Sequence, residues 1–173
     1  KNFKTIGFDI DSKRIDTLKN QIDINNEFKK KDLRKNNLIF SKDIQDIGKC
    51  NFYIICVPTP ITESKNPNLK YINRSFNLIS KFLKKGDIII LESTVYPGVT
   101  ETFIRKLEKK TKLINNRDFS TCYSPERINP GDKKNTLTNI IKVVSADNSK
   151  TLEKVSKLYK SVIKAGIYQA PSI

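Results

Sequence analysis

Two short apolar runs in this sequence end in hydroxyl side chains and prolines, a pattern that indicates chemistry at the edge of a sheet. Residues 88–91 (Ile-Ile-Ile-Leu) lead into Ser93 and Thr94 and then into a Pro-Gly turn. Residues 53–57 lead in the same way into Pro-Thr-Pro, with Thr59 at its centre. Ligands of open α/β sheets bind beyond the carboxyl ends of the strands. We therefore expect these hydroxyls to line one crevice.

A carboxylate follows a third predicted strand, over residues 119–123, in the loop Ser-Pro-Glu-Arg-Ile-Asn-Pro-Gly. Glu126 would reach the crevice of Thr94 if both strands belong to one sheet, and a hydroxyl and a carboxylate that share a water make a general base. A simple pair between Glu126 and the neighbouring Arg127 is the open alternative. The sequence has no His, which excludes a Ser-His-Asp triad and most zinc sites, and we assign no metal ligand.

Another acid closes the first predicted strand. Asp9 follows residues 5–8 and precedes a predicted helix that carries Arg14. Dinucleotide-binding domains use such a carboxylate to accept hydrogen bonds from the adenosine ribose, which favours NAD over NADP, although Arg14 weakens this preference. The alternative is an acid that complements the helix dipole. Gly7 is the only glycine before Gly48, so either the glycine-rich phosphate loop lies outside this chain or the NAD interpretation is wrong.

Strands and amphipathic helices alternate along the sequence. The strands read as continuous apolar runs, and the helices carry apolar residues at a spacing of three and four. This alternation predicts a parallel sheet that is covered on both faces. The predicted strands are 5–9, 38–40, 52–57, 87–91, 119–123 and 140–144. The predicted helices are 12 onward with Ile22 on the apolar face, 43–47, 72–83, 100–109 and 149–163.

Length and composition limit the class of protein. A chain of 173 residues suits one domain. Its 33 Lys and Arg against 18 Asp and Glu give a net charge of +15, but they are scattered, so we expect a solvated surface and no nucleic-acid partner. No apolar run approaches the roughly 20 residues of a membrane span, so we expect a cytoplasmic protein without membrane contact. The three cysteines lack metal-type spacing, and we expect buried thiols.

Five motifs occur in order along the chain. They are Phe8-Asp-Ile-Asp11 with Arg14-Ile15, Cys56-Val-Pro-Thr-Pro60, Glu92-Ser-Thr-Val-Tyr-Pro-Gly98, Tyr123-Ser-Pro-Glu-Arg-Ile-Asn-Pro-Gly-Asp132 and Ala165-Gly-Ile-Tyr-Gln-Ala-Pro-Ser172. Together they resemble the nucleotide-sugar 6-dehydrogenases, the UDP-glucose/GDP-mannose dehydrogenase family. The Glu-Arg-Ile-Asn-Pro-Gly-Asp form is most similar to the branch that acts on UDP-N-acetylglucosamine or UDP-N-acetylgalactosamine.

This resemblance implies a Rossmann-like doubly wound parallel sheet. Residues 1–173 would be the NAD-binding domain, truncated at both ends and lacking the first strand and the glycine-rich loop. The parent protein would be a homodimer with a UDP-sugar as substrate. It would use NAD to oxidise the C6 alcohol of the sugar to a carboxylate, through an aldehyde and a cysteine-bound thioester, for surface polysaccharide synthesis.

The resemblance also assigns roles to residues. Asp9, Arg14, Thr59 and Thr94 match positions that bind the cofactor. Thr94 and Glu126 match catalytic positions. Glu126, Arg127 and Ile128 match positions that bind the substrate. Glu126 corresponds to the carboxylate implicated in thioester hydrolysis. Other branches carry a second Glu where this chain has Pro130, so contacts of that Glu are not assigned.

The family's nucleophilic Cys and catalytic Lys would follow Ile173, and none of the three cysteines matches the context of that nucleophile. We therefore expect residues 1–173 alone to show no turnover. Two other functions stay open from the sequence. One is the nucleotide domain of a two-electron β-hydroxyacid-type dehydrogenase. The other is a basic α/β module that binds nucleic acid, with an affinity that falls steeply with salt.

Overall fold

The computed structural model describes residues 3–128, 136 and 138–173. Within these residues it contains seven strands and six helices. The strands are β1 Thr5–Phe8, β2 Leu38–Ser41, β3 Phe52–Ile55, β4 Ile88–Leu91, β5 Ser120–Tyr123, β6 Lys142–Ala146 and β7 Ile167–Gln169. The helices are α1 Ser12–Lys19, α2 Lys30–Leu33, α3 Ile44–Ile47, α4 Lys70–Ile79, α5 Val99–Thr111 and α6 Ser149–Lys160.

The chain divides into two compact units, and the first spans Lys1–Cys50. Its strands β1 and β2 pair in parallel, α1 packs against β2, and Ile15 of α1 is buried. The helix ends at Lys19, and Gln21 adopts a φ of 61°. Because this left-handed conformation stops the helix, the prediction that Ile22 continues its apolar face is wrong, and Ile22 is 57% exposed.

The second unit spans Asn51–Ile173 and holds a five-stranded sheet in the order β3-β4-β5-β6-β7. Strands β3, β4 and β5 are mutually parallel. Every residue of the interior strand β4 is buried, because β4 has a neighbouring strand on each side and apolar layers on both faces. One face packs against α6 through Val155 and Tyr159. Helices α4 and α5 pack together through the stacked rings of Phe76 and Phe103.

One strand runs against the predicted direction. The apolar run 140–144 was expected to join a parallel sheet, but β6 pairs with β5 in antiparallel orientation, with Cys122 opposite Ala146 and Tyr123 opposite Ser145. Antiparallel neighbours need no crossover helix between them, which is compatible with β5 and β6 being consecutive strands. Strand β7 is parallel to β6, and α6 forms the crossover between them. The start of β6 therefore lies at the carboxyl end of β5.

The expected covering of the strands holds for β4 but not everywhere. Ile39 in β2 is 58% exposed and Ile54 in β3 is 46% exposed, so an apolar run alone does not establish burial on both faces. No helix in the described part of the chain is long and apolar enough to cross a bilayer. The α/β architecture with parallel strands confirms the fold class predicted from the sequence.

Candidate functional site

The loops that follow β3 and β4 are tied together by hydroxyl groups. Ser93 is buried, and its Oγ donates to the carbonyl of Val57 at 2.6 Å. Thr59 Oγ1 donates to the carbonyl of Thr94 at 2.9 Å. The hydroxyl of Thr59 therefore offers only its acceptor lone pairs to a ligand, while the Thr94 residue is exposed at the strand end. The two hydroxyl-bearing strand ends occupy one edge, as the sequence predicts.

The loop after β5 reaches the same edge of the second unit. The amide of Ser124 donates to Leu91 O at 2.9 Å, and the amide of Glu126 donates to Glu92 O at 3.1 Å. These bonds continue the pairing between β4 and β5 beyond the strands themselves. Thr94 and Glu126 thus follow neighbouring strands at the same carboxyl edge, which is the arrangement that a shared water requires.

The carboxylate of Glu126 is held by its own loop. Its Oε1 accepts the backbone N–H groups of Arg127 at 2.6 Å and Ile128 at 2.9 Å. The guanidinium of Arg127 instead donates to Ile141 O at 3.2 Å. The simple side-chain pair between Glu126 and Arg127 is therefore not the arrangement that forms. Arg127 and Ile128 line a small pocket together with Glu126 and residues 140–142.

A buried lysine stands beside this carboxylate. Lys142 Nζ lies 3.2 Å from Glu92 Oε2 and 3.8 Å from Glu126 Oε2, and its side chain is 5% exposed. The other oxygen of Glu92 accepts the hydroxyl of Tyr159. Burial, and then the charge of Glu92, raises the pKa of the Tyr159 hydroxyl, so this group remains a donor at neutral pH. Four side chains thus form one connected polar cluster at the site.

Sequence reasoning identified Glu126 but not Glu92, Lys142 or Tyr159. One signal was available, because Lys142 interrupts the otherwise apolar run 140–144, and a charged residue in a buried strand needs a partner. The partners of Lys142 could be identified only from the antiparallel direction of β6, which could not be predicted from the sequence. Extending the pairing of Tyr123 with Ser145 by three residues along each strand brings Lys142 opposite Glu126.

The cysteines differ in their surroundings. Cys122 is buried, as expected, but Cys50 is half-buried and Cys56 is exposed at the end of β3. The prediction of burial is wrong for Cys56 because β3 ends one residue earlier, at the ligand edge of the sheet. Protein atoms around its thiol, and then the charge of Glu92, nevertheless raise the pKa of Cys56 to about 12. A thiol with this pKa is a poor nucleophile, which agrees with leaving Cys56 unassigned in catalysis.

This pKa predicts slow alkylation of Cys56. At pH 8 a thiol with a pKa of about 12, rather than the ordinary 9.0, has roughly 1,000-fold less thiolate, the species that reacts. Iodoacetamide labelling of the folded chain, followed by peptide mass spectrometry, should therefore modify Cys56 at least 100-fold more slowly than labelling in urea. Equal labelling rates of Cys56 in the folded and unfolded chains would contradict a raised pKa of this thiol in the folded chain.

Asp9 lies at the carboxyl end of β1 in the first unit, and its side chain is exposed to solvent. Its Oδ1 accepts the backbone N–H of Asp11 at 2.9 Å. The N-cap of α1 is Asp11, whose carboxylate accepts from Lys13 N and Arg14 N. The helix therefore has its own capping acid, and Asp9 does not fill that role. A carboxylate accepts up to about four hydrogen bonds, so Asp9 fits the two hydroxyls of a ribose.

Arg14 has a partner within the same unit. Its Nη1 lies 3.3 Å from Asp23 Oδ1, and the side chain of Asp23 is 1% exposed. Burial opposes ionisation of Asp23, but backbone N–H donors of Phe28, Asn25 and Glu27, and then Arg14, hold its pKa below the ordinary value. Arg14 is thus engaged as a counter-ion. This engagement leaves it less suited to a 2′-phosphate and supports NAD over NADP.

Parallel strands that alternate with helices occur in both units, with an acid after β1 in the first and hydroxyls beyond β3 and β4 in the second, and these are features of a dinucleotide-binding domain of the Rossmann type. The chain belongs to the UDP-glucose/GDP-mannose dehydrogenase family, whose NAD-binding domain matches residues 1–163. NAD is the cofactor of this domain.

Two proteins of similar sequence are named as UDP-N-acetyl-D-glucosamine 6-dehydrogenases. The UDP-N-acetyl-D-glucosamine 6-dehydrogenase of Salmonella typhi is 43% identical over 175 residues, which cover 100% of this chain and 41% of that protein. The enzyme of the same name from Pseudomonas aeruginosa is 46% identical over 170 residues, or 97% of this chain and 40% of that protein. The chain therefore spans about two fifths of the length of these relatives.

A solved structure agrees with the fold. The UDP-D-ManNAc dehydrogenase of Pyrococcus horikoshii superposes with a TM-score of 0.88 and 28% identity, over 99% of this chain and 42% of that chain. A likeness at this level over nearly the whole chain places the sheet and its helices within the nucleotide-sugar dehydrogenase fold.

Proposed function

We propose that the chain is the NAD-binding domain of a longer UDP-N-acetylhexosamine 6-dehydrogenase. The observation that carries the proposal is the position of the Glu126 carboxylate, which lies beside Lys142 at the edge of the sheet where Thr94 also lies. The match of residues 1–163 to the family domain gives this position its meaning. The two bacterial relatives described above are named for UDP-N-acetyl-D-glucosamine, and this supports an N-acetylhexosamine as the sugar. The proposed product is the uronic acid, for surface polysaccharide synthesis.

The proposed reaction is a four-electron oxidation at C6. One primary alcohol, one water and two NAD give one carboxylate, two NADH and three protons. NAD supplies the hydride acceptor in both oxidations. A cysteine of the parent protein outside this chain forms the thioester, and water then cleaves the C–S bond of that thioester. Glu126 takes a proton from this water, and Thr94 shares the water through its exposed hydroxyl.

The remaining residues bind rather than react. Asp9 accepts hydrogen bonds from the adenosine ribose, and Arg14 also lies at the ribose end of the cofactor. Thr59 offers acceptor lone pairs along the cofactor, because its proton is used on Thr94 O. Arg127 and Ile128, which line the pocket beside Glu126, contact the substrate. We propose the UDP-sugar as the substrate partner, a homodimer for the parent protein, and neither nucleic acid nor membrane as a partner.

A panel of sugars tests the substrate. The full-length parent is mixed with NAD and, in separate reactions, UDP-N-acetylglucosamine, UDP-N-acetylgalactosamine and UDP-glucose, and NADH is followed at 340 nm. We expect NADH with an N-acetylhexosamine and at least tenfold less with UDP-glucose, while residues 1–173 alone produce none. Turnover with UDP-glucose alone would contradict the substrate assignment. Turnover by residues 1–173 would contradict the proposal that the nucleophilic cysteine lies outside these residues.

Replacing Asp9 by alanine should weaken NAD binding. Loss of hydrogen bonds to a charged acceptor is expected to raise the Kd of the parent protein for NAD by about 10- to 100-fold. Discrimination against NADP should fall at the same time, since the carboxylate that repels a 2′-phosphate is gone. Titration of protein fluorescence with each cofactor measures both effects. Asp16→Ala, at an exposed acid of α1, is the matched control, and equal affinities in the two variants would contradict the role of Asp9.

A further inference from the structure

The ammonium group of Lys142 is shared by two carboxylates with different surroundings. The side chain of Glu92 is 12% exposed, and its two oxygens are occupied by Lys142 and by Tyr159. The side chain of Glu126 is 40% exposed, and its Oε1 is occupied by two backbone N–H groups. Lys142 therefore lies between the buried carboxylate of Glu92 and Oε2 of the more exposed Glu126.

The position of this ammonium group is strongly determined. A buried charge needs a partner with good geometry, and Glu92 supplies it at 3.2 Å. Tyr159 holds Glu92 from the other side, and the ring of Tyr159 lies with its centroid 5.6 Å from Lys142 Nζ. The carbonyl of Pro125, next to Glu126 in the loop, lies 3.5 Å from the same nitrogen. These contacts join Lys142 to Glu92, to Tyr159 and to the loop of Glu126.

We propose that Lys142 is a positioning residue that orients the Glu126 carboxylate for thioester hydrolysis, with Glu92 and Tyr159 holding Lys142 in place. Backbone donors fix Oε1 of Glu126, and Lys142 attracts Oε2, so the whole carboxylate has one orientation from which it can receive the proton of a water. The inference rests on the proposed function, because hydrolysis is the step that it concerns. It assigns Lys142 no contact with the sugar or with NAD.

This role predicts a defect confined to one step. Hydrolysis follows both hydride transfers, so Lys142→Met should still produce about two NADH per active site in a rapid first phase. Because a misplaced catalytic group lowers a rate by up to about 100-fold, steady-state turnover should then fall 10- to 100-fold. Stopped-flow absorbance at 340 nm measures both phases. Intact mass of acid-quenched enzyme should show the sugar adduct accumulating in the variant.

Two further variants test whether a positive charge at position 142 is sufficient and whether removal of any lysine has the same effect. Lys142→Arg keeps the positive charge and should retain steady-state turnover within about tenfold of the wild type. Lys157→Met removes a lysine that pairs with Glu153 at 2.7 Å, but that pair is exposed, with side chains 73% and 66% accessible. Since exposed ion pairs contribute little, this control should behave as the wild type in both phases.

A double variant covers the case in which Lys142→Met does not fold, because that change leaves Glu92 buried without its cation. Glu92→Gln combined with Lys142→Met removes both charges and keeps an acceptor for the Tyr159 hydroxyl. It should fold and show the same normal first phase followed by slow turnover.

The outcomes distinguish this inference from the proposed function. Steady-state turnover within tenfold of the wild type in folded Lys142→Met, or in the folded double variant, would overturn the role of Lys142, as would an equal loss of both phases. Absence of NADH from the wild-type parent with every UDP-sugar would instead contradict the proposed function, and the positioning role with it.

Discussion

Replacing Glu126 by glutamine is expected to stop the parent enzyme after one round of oxidation. The amide is close in shape to the carboxylate but cannot take a proton from water, so hydrolysis of the thioester should slow by about 100- to 10,000-fold. The two hydride transfers precede this step. A rapid phase of about two NADH per active site should therefore remain, followed by almost no further NADH, and the enzyme should carry the sugar as a covalent adduct.

Stopped-flow absorbance and intact mass together measure this result. Glu153→Gln, at a glutamate of α6 whose side chain is 66% exposed, is the matched control and should turn over normally. Steady-state turnover of Glu126→Gln within tenfold of the wild type would contradict the catalytic role. A variant that folds but lacks the rapid phase would place Glu126 in hydride transfer or in binding instead.

Replacing Phe103 by alanine is expected to produce a large loss of stability. Phe103 in α5 is 2% exposed, and its ring stacks on that of Phe76 in α4 with centroids 4.7 Å apart. Truncation of a buried Phe to Ala lowers the free energy of unfolding by about 3–5 kcal/mol. Most domains have a total of only about 5–15 kcal/mol, so this single change should remove a large part of the stability of the chain.

Urea denaturation of residues 1–173 followed by circular dichroism measures the effect. Phe103→Leu retains an apolar side chain and should lose less stability than Phe103→Ala. Tyr96→Ala, at an aromatic residue that is 52% exposed, should change the free energy of unfolding by less than about 1 kcal/mol. A loss below about 1 kcal/mol in Phe103→Ala would show that the contact between α4 and α5 does not stabilise the fold as the structure indicates.

The positions of the strand ends could be predicted from the sequence because several signals agree there. The apolar run 88–91 is wholly buried as β4, and Glu92, Ser93 and Thr94 follow it. The same pattern at residues 53–57 marks the end of β3, and the two strands are parallel neighbours. Hydrophobic runs specify strands through burial, and hydroxyls after them specify an edge that faces water or a ligand.

The direction of β6 could not be predicted, since a largely apolar run of five residues is compatible with a buried strand of either direction. This direction decides which residues meet at the site. In a parallel strand, Lys142 would start at the opposite edge of the sheet from Glu126, whereas the antiparallel register places them opposite each other. Glu92 and Tyr159 were missed for a related reason, because their contact depends on how α6 returns over the sheet.

Exposure at strand ends was also hard to predict. Cys56 follows four apolar residues and was expected to be buried, yet it lies one residue beyond β3 and is exposed. Ile22 keeps helical spacing with Ile15, but the positive φ of Gln21 ends the helix before it. Both errors arise where an element stops, and the stop depends on backbone conformation rather than on hydrophobic pattern.

The yield of NADH per sugar tests the central claim most directly. The full-length parent is given excess NAD and a limiting, known amount of the UDP-N-acetylhexosamine that it oxidises, and the reaction is followed at 340 nm to completion. A four-electron oxidation to the uronic acid predicts about two NADH for each sugar consumed, since each NAD accepts two electrons. A yield of about one NADH per sugar would contradict this reaction and would assign the domain to a two-electron dehydrogenase.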